Sequence, residues 1–170
     1  MPIRRRAISL TGTPFLLAML LGLSACAGGG DIQPGTGAAA VKLGDSREVV
    51  EKILGKPVSS SGSGVHGSKT VETMYLLYPS HGIDVLLEGD KVRSIFLYNE
   101  GADDHKRYGG AGPAGVTLGS KRDEVLAALG DPSARGLGTE ADLWFRYDSG
   151  LEVAFDREGT IHHLVVTRRH

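Results

Sequence analysis

The chain holds one thiol, Cys26, so sulfur chemistry is confined to modification of that side chain or pairing with another molecule. Nucleophilic catalysis needs a Ser or Cys beside a base that a third group orients. The serines are instead grouped in Ser59-Ser60-Ser61 and in other loop-like stretches, where solvation is their simplest use, and no catalytic set is expected. Metal chemistry needs carboxylates and imidazoles converging on one point. Asp103-Asp104-His105 and His162-His163 are the nearest groupings. The first lies in a stretch with no preformed geometry. Consecutive residues of a strand point to opposite faces, so His162 and His163 are not expected to share an ion. No metal and no cofactor is expected, and the histidine pair keeps only the capacity to sense acid.

The surroundings of Cys26 give it a use. Arg4-Arg5-Arg6 precedes an apolar stretch from Ala7 to Leu23 and then a run of small residues, the order of a secretory signal over residues 1–25. Pro14 and the following Gly28-Gly29-Gly30 interrupt what a spanning helix of about 20 apolar residues would require. Arg5-Arg6 is the only trace of a twin-arginine signal, so the general export route is the default. Leu23-Ser24-Ala25-Cys26 resembles the bacterial lipobox, in which the thiol takes a diacylglyceryl group and the new amino terminus a further acyl chain such as palmitate. The alternative is an ordinary signal with an incidental cysteine. Each buried CH₂ contributes about 0.8 kcal/mol and stable anchoring takes more than one chain, which a lipidated Cys26 satisfies. Removal of residues 1–25 takes three arginines and no acids, leaving 16 basic residues against 20 acidic and a formal charge of −4. That balance lacks the basic footprint of a nucleic-acid binder. Ala27 in place of the Asp that retains some lipoproteins at the inner membrane favours the outer membrane.

Residues 26–40 are Gly, Ala, Pro and Thr for the most part and read as a flexible tether. Beyond them the chain repeats itself. Val41 to Pro57 superposes without a gap on Val116 to Pro132 at an offset of 75, with Val, Leu, Gly, Arg, Val, Leu, Gly and Pro coinciding. Each copy carries one short helix. Asp45 with Glu48, and Ser120 with Asp123, stand at capping-box spacing. Val50, Ile53 and Leu54, and Val125, Ala128 and Leu129, share a face. Gly55 and Gly130 stop the helix, with Pro57 and Pro132 beyond. The period then changes to two, with strands expected at Met74 to Tyr78, Ile83 to Glu88 and Val92 to Tyr98, and again at Leu143 to Tyr147, Leu151 to Asp156 and Ile161 to Thr167. The expected fold is α+β: two tandem αβββ repeats at 41–98 and 116–170, each a short helix packed on a three-stranded antiparallel meander. Residues 99–115 read as a Gly-rich linker, and Ser59 to Ser68 as a mobile loop.

The helix motif with its Leu-Gly-x-Pro ending, followed by an aromatic strand and two apolar strands, resembles the SmpA/OmlA (BamE-like) lipoprotein domain. It is also similar to the tandem-repeat β-lactamase inhibitory proteins of that fold. Lys121 departs from the hydroxyl residue usual at its position. The resemblance implies a non-enzymatic role in binding envelope proteins, either in outer-membrane protein assembly or as an inhibitor of a periplasmic or secreted hydrolase such as a β-lactamase.

Positions apolar in both copies form the shared core face, which leaves Tyr75, Leu77, Leu86, Phe96 and Tyr98 of the first copy and Trp144, Arg146, His163 and Val165 of the second on the other face. A solvated sheet face is normally more polar, and aromatic and Arg side chains are the composition of interface hot spots. Tyr75, Leu77, Phe96, Tyr98, Trp144, Arg146 and His163 are therefore the candidate partner-binding residues. The competing arrangement packs the two faces on each other.

Overall fold

The two α-helices among the described residues are too short to persist alone and stand because one face of each is buried. In the computed structural model, which describes residues 31–66, 69–138 and 143–169, they are α1, Arg47–Leu54, and α2, Arg122–Leu129. Val50 and Val125 are fully buried, at 0% exposure. The caps differ from the expected spacing by one residue. Ser46 and Lys121 are the N-caps. The Glu124 carboxylate accepts the Lys121 backbone N–H at 2.8 Å, while the Asp45 carboxylate turns back to the N–H of Lys42 and Ser120 Oγ to that of Thr117. Gly55 and Gly130 close the last turns by donating to Glu51 and Leu126. Tyr78 and Tyr147 then donate their hydroxyls to the carbonyls of Gly55 and Gly130 at 3.2 and 3.3 Å, fixing each helix end to the sheet beneath it.

The expectation of two tandem αβββ units is overturned. Besides the two-residue strands β1, Gly37–Ala38, and β2, Val41–Lys42, the described residues form one antiparallel sheet of eight strands and are mostly β. These are β3, Val58–His66; β4, Lys69–Tyr78; β5, Ile83–Glu88; β6, Lys91–Tyr98; β7, Ala134–Gly136; β8, Leu143–Tyr147; β9, Leu151–Phe155; and β10, Ile161–Val166. Their spatial order is β3-β4-β5-β6-β10-β9-β8-β7. Each half supplies four strands, and the halves join at β6 and β10 through Tyr98–His163, Leu97–Leu164, Phe96–Val165 and Ile95–Val166 pairs. That junction removes two strand edges that separate units would expose.

The extra strands lack the signal on which strand expectations rest. β3 occupies the stretch expected to be a loop. Val-Ser-Ser-Ser-Gly-Ser-Gly-Val-His has no apolar alternation, and it joins by backbone pairing with β4 from Val58–Leu77 to His66–Lys69. β7 is only three residues long.

One core lies between the helices and the sheet, with Leu76, Val85, Ile95, Leu97, Phe145, Val153, Leu164 and Val166 all at or below 2% exposure. Burial of such side chains contributes roughly 1.5–3 kcal/mol each. The segments expected to be a tether and a linker belong to this body. Ile32 and Ala38 are buried in the core, and the Ile32 N–H donates to Ala111 at 2.8 Å. Of the expected tether, residues 31–40 are thus packed in place, and 26–30 lie outside the described residues. Tyr108, in the expected linker, is 1% exposed. The two segments cross reciprocally. Residues 106–108, which lead into the second half, run under Gly82 of the first, where a Cβ would fall 2.3 Å from the Lys106 carbonyl. Gly35, which leads into the first half, lies against Gly150 of the second.

Candidate functional site

The face of the sheet away from the helices carries the candidate partner-binding residues in three cross-strand rows. Leu77, Asp84, Phe96, Val165, Glu152 and Arg146 stand opposite one another across six strands. Tyr98, His163, Ala154 and Trp144 form a second row. Tyr75, Leu86 and Ser94 form a third. Because both halves belong to one sheet, these rows lie side by side, and the arrangement with the two faces packed on each other is replaced by a single broad face.

Within it the side chains form local groups. Tyr75, 38% exposed, meets Phe96 at 6.1 Å between ring centroids, with Leu77 half-buried in the next row. Arg146 lies over Trp144 at 5.2 Å and donates to Glu152 at 2.8 Å. A guanidinium held by a carboxylate over an indole is fixed in place before any partner arrives, which lowers the ordering cost of contact.

Tyr98 is not part of the open surface. It is 8% exposed, beneath His105 of the 99–115 segment, whose ring stacks on it at 4.0 Å and 20°. His105 Nε2 meets the Asp84 carboxylate at 2.9 Å, and Nδ1 meets the Asp103 carbonyl at 2.8 Å. Both ring nitrogens are thus engaged by oxygen atoms. Burial, followed by the nearby carboxylates of Asp84 and Asp103, raises the Tyr98 hydroxyl well above its ordinary range. Asp84 and His105 are the residues that sequence reasoning missed as a pair. Their one visible signal was a lone acid in the apolar run Ile83-Asp84-Val85-Leu86-Leu87.

His163 is half-buried beside Tyr98, with ring centroids 5.8 Å apart. The expectation that His162 and His163 point apart is corrected by a bulge. The β9–β10 register shifts between Ile161 and His163, and the two Nδ1 atoms come within 2.9 Å, so one ring donates to the other. Burial, and secondarily the neighbouring His162, depresses His163 to about 4, opposed by Asp103. Among the described residues no group of three or more His, Cys, Asp or Glu side chains is placed to hold a metal ion. Cys26 and the signal over 1–25 lie outside the described residues. No helix among the described residues is long and apolar enough to cross a membrane.

No protein-family model and no curated protein matches the chain. Among solved structures it is similar to the uncharacterized protein yfeY from Escherichia coli, at 10% identity and a TM-score of 0.46, over 82% of this chain and 99% of that one. This likeness identifies neither the SmpA/OmlA domain nor a function.

Proposed function

We propose that the chain is a lipid-anchored, non-enzymatic protein-binding module of the bacterial envelope, held through Cys26 on the periplasmic side of the outer membrane and serving there in the assembly of envelope proteins. The observation that carries this reading is the broad sheet face opposite the helices, where Tyr75, Leu77, Phe96, Trp144 and Arg146 stand half-buried or exposed. Large aromatic and Arg groups on an uncovered sheet favour a protein partner, since a solvated face tends to be polar. The lipobox at Leu23-Ser24-Ala25-Cys26 supports the anchor and the compartment.

Photo-crosslinkers introduced at Tyr75 and Trp144 in intact cells test the face, and mass spectrometry of the Cys26 peptide tests the anchor. The expected result is an acylated Cys26 and one dominant adduct, which disappears in a Phe96→Ala, Arg146→Ala background. Equal labelling at Lys52, exposed on α1 on the helix side of the sheet, would remove the binding assignment. An adduct with a hydrolase whose activity drops on binding would replace assembly by inhibition.

A further inference from the structure

The packing of Ile32 sets how far the folded body stands from its anchor. Ile32 is a member of the core that lies on the helix side of the sheet, is 3% exposed and donates its N–H to Ala111. The path from Cys26 to this fixed point is six residues, which extends to about 20 Å at most. A folded body of this size is about 37 Å across. The leash is therefore shorter than the body it holds, which favours keeping the helix side that packs Ile32 toward the bilayer.

The helix layer also carries a surface suited to lipid. On α1, Val49 and Ile53 stand one turn apart and are 38% and 39% exposed. Lys52 and Lys56 flank them, both exposed, while Glu51 is engaged by Arg47 at 2.6 Å and Glu48 remains as an exposed acid. Two apolar side chains between lysines match the boundary of acyl chains and headgroup phosphates. The corresponding positions of α2 are Glu124 and Ala128, so the feature belongs to α1 and is not a by-product of the repeat.

Resting on the lipoprotein reading above, we infer that the helix layer lies against the bilayer that anchors Cys26, with Val49 and Ile53 of α1 at the interface and Lys52 and Lys56 at the phosphates, and that the aromatic sheet face points away from the membrane. Acylation consumes the only thiol, so a second cysteine can be labelled alone.

The full acylated protein, carrying Glu48→Cys on α1 or Ser94→Cys on the sheet face, is labelled with a fluorophore. It is then reconstituted in phosphatidylethanolamine–phosphatidylglycerol vesicles containing a headgroup-linked quencher. The expected result is several-fold stronger quenching at position 48 than at 94, reduced by Val49→Ser with Ile53→Ser while acylation is unchanged. Equal quenching, or stronger quenching at 94, on protein whose Cys26 is shown by mass to be acylated overturns the orientation and leaves the anchor standing. An unmodified Cys26 removes the anchor, and the orientation with it. Preferential protection of position 48 in native envelopes but not in protein-free vesicles assigns the helix layer to a protein and overturns the lipid contact.

Discussion

Protonation of His163 should make this fold acid-labile in a defined window. The ring is held neutral because it is largely withdrawn from water beside Tyr98, half-buried, and faces His162 Nδ1 at 2.9 Å. Its folded value of about 4 lies below the ordinary 6.5 that it recovers on unfolding. Between those values the unfolded chain binds more protons than the folded one, so stability falls as pH falls. Above about 6.5 both states are neutral at this residue and the contribution is constant. Below about 4 both are protonated and the loss is complete. At 1.36 kcal/mol per pH unit, the loss across the window is about 3 kcal/mol, a large part of the stability of a small domain. Urea unfolding of the non-acylated Cys26→Ser protein from pH 8 to pH 4, compared with the same protein carrying His163→Asn, isolates this group from the carboxylates that titrate in both. Asn cannot take the proton and keeps an acceptor near the position of Nδ1. The wild-type curve should fall by about 3 kcal/mol more than the His163→Asn curve, with the difference developing below pH 6.5. His162→Asn should shrink that extra loss, because it removes the second cause of the depression. Parallel curves for wild type and His163→Asn would refute the argument, and a difference that grows above pH 7 would refute its sign.

Four further outcomes test the packing by the same unfolding measurement. Tyr78→Phe and Tyr147→Phe should each cost about 1 kcal/mol by removing the hydrogen bond to the Gly55 or Gly130 carbonyl, and the double change should be near additive because the sites lie in different halves. Gly82→Ala and Gly150→Ala should each cost roughly 3 kcal/mol or more, since φ is +68° and +86° and the new Cβ would lie 2.3 Å and 2.4 Å from carbonyl oxygens. Gly55→Ala, at φ +87° and ψ −166° but with nothing within 4 Å, should cost only the backbone strain, roughly 1–3 kcal/mol. His105→Ala should expose Asp84 without its partner, costing roughly 3 kcal/mol and raising amide exchange across 99–108 before the rest of the sheet opens.

The residues that announced themselves were those with a period. Val50 and Leu54 on a helix, and Leu76, Val85 and Leu97 on strands, follow from apolar spacing, because hydrophobic burial selects one face and leaves a record in the sequence. Ser59 to His66 keeps no such record. It pairs through its backbone, and its Gly and Ser residues read as loop. Ile32 was hidden for a related reason: a single apolar side chain among Gly and Pro has no period, yet a lone anchor suffices when its N–H also finds the Ala111 carbonyl. On the candidate face, Tyr75, Phe96, Trp144 and Arg146 were visible as breaks in polar alternation. Covering of Tyr98 was not, since it depends on His105 reaching Asp84 from 21 residues away. The close approach of His162 and His163 depends on one extra residue in a strand, which alternation cannot register.

The union of the halves changes what the repeat can be for. Two separate units on a linker would present two faces whose relative position a partner must fix, at an entropic cost to binding. Here the seam of β6 and β10 places the Phe96 and Val165 side chains in one row, and each leading segment packs against the opposite half, so neither half can move without releasing the other. The two halves of the face are therefore tied into one sheet, and under the proposed binding role affinity would rest on its shape and on the fixed Arg146–Trp144 pair rather than on closure around a partner. A short leash adds to this. On the proposed anchoring, with only about 20 Å between Cys26 and Ile32, the face would sample a thin layer above the bilayer, raising the effective concentration toward partners at that height and denying access to those further out. Lengthening the leash by about ten Gly-Ser residues after Cys26 should thus leave stability and acylation unchanged while lowering crosslinking at Tyr75 and Trp144. Unchanged crosslinking would mean that the partner is reached equally well at any height, and that the packing of Ile32 serves the fold alone.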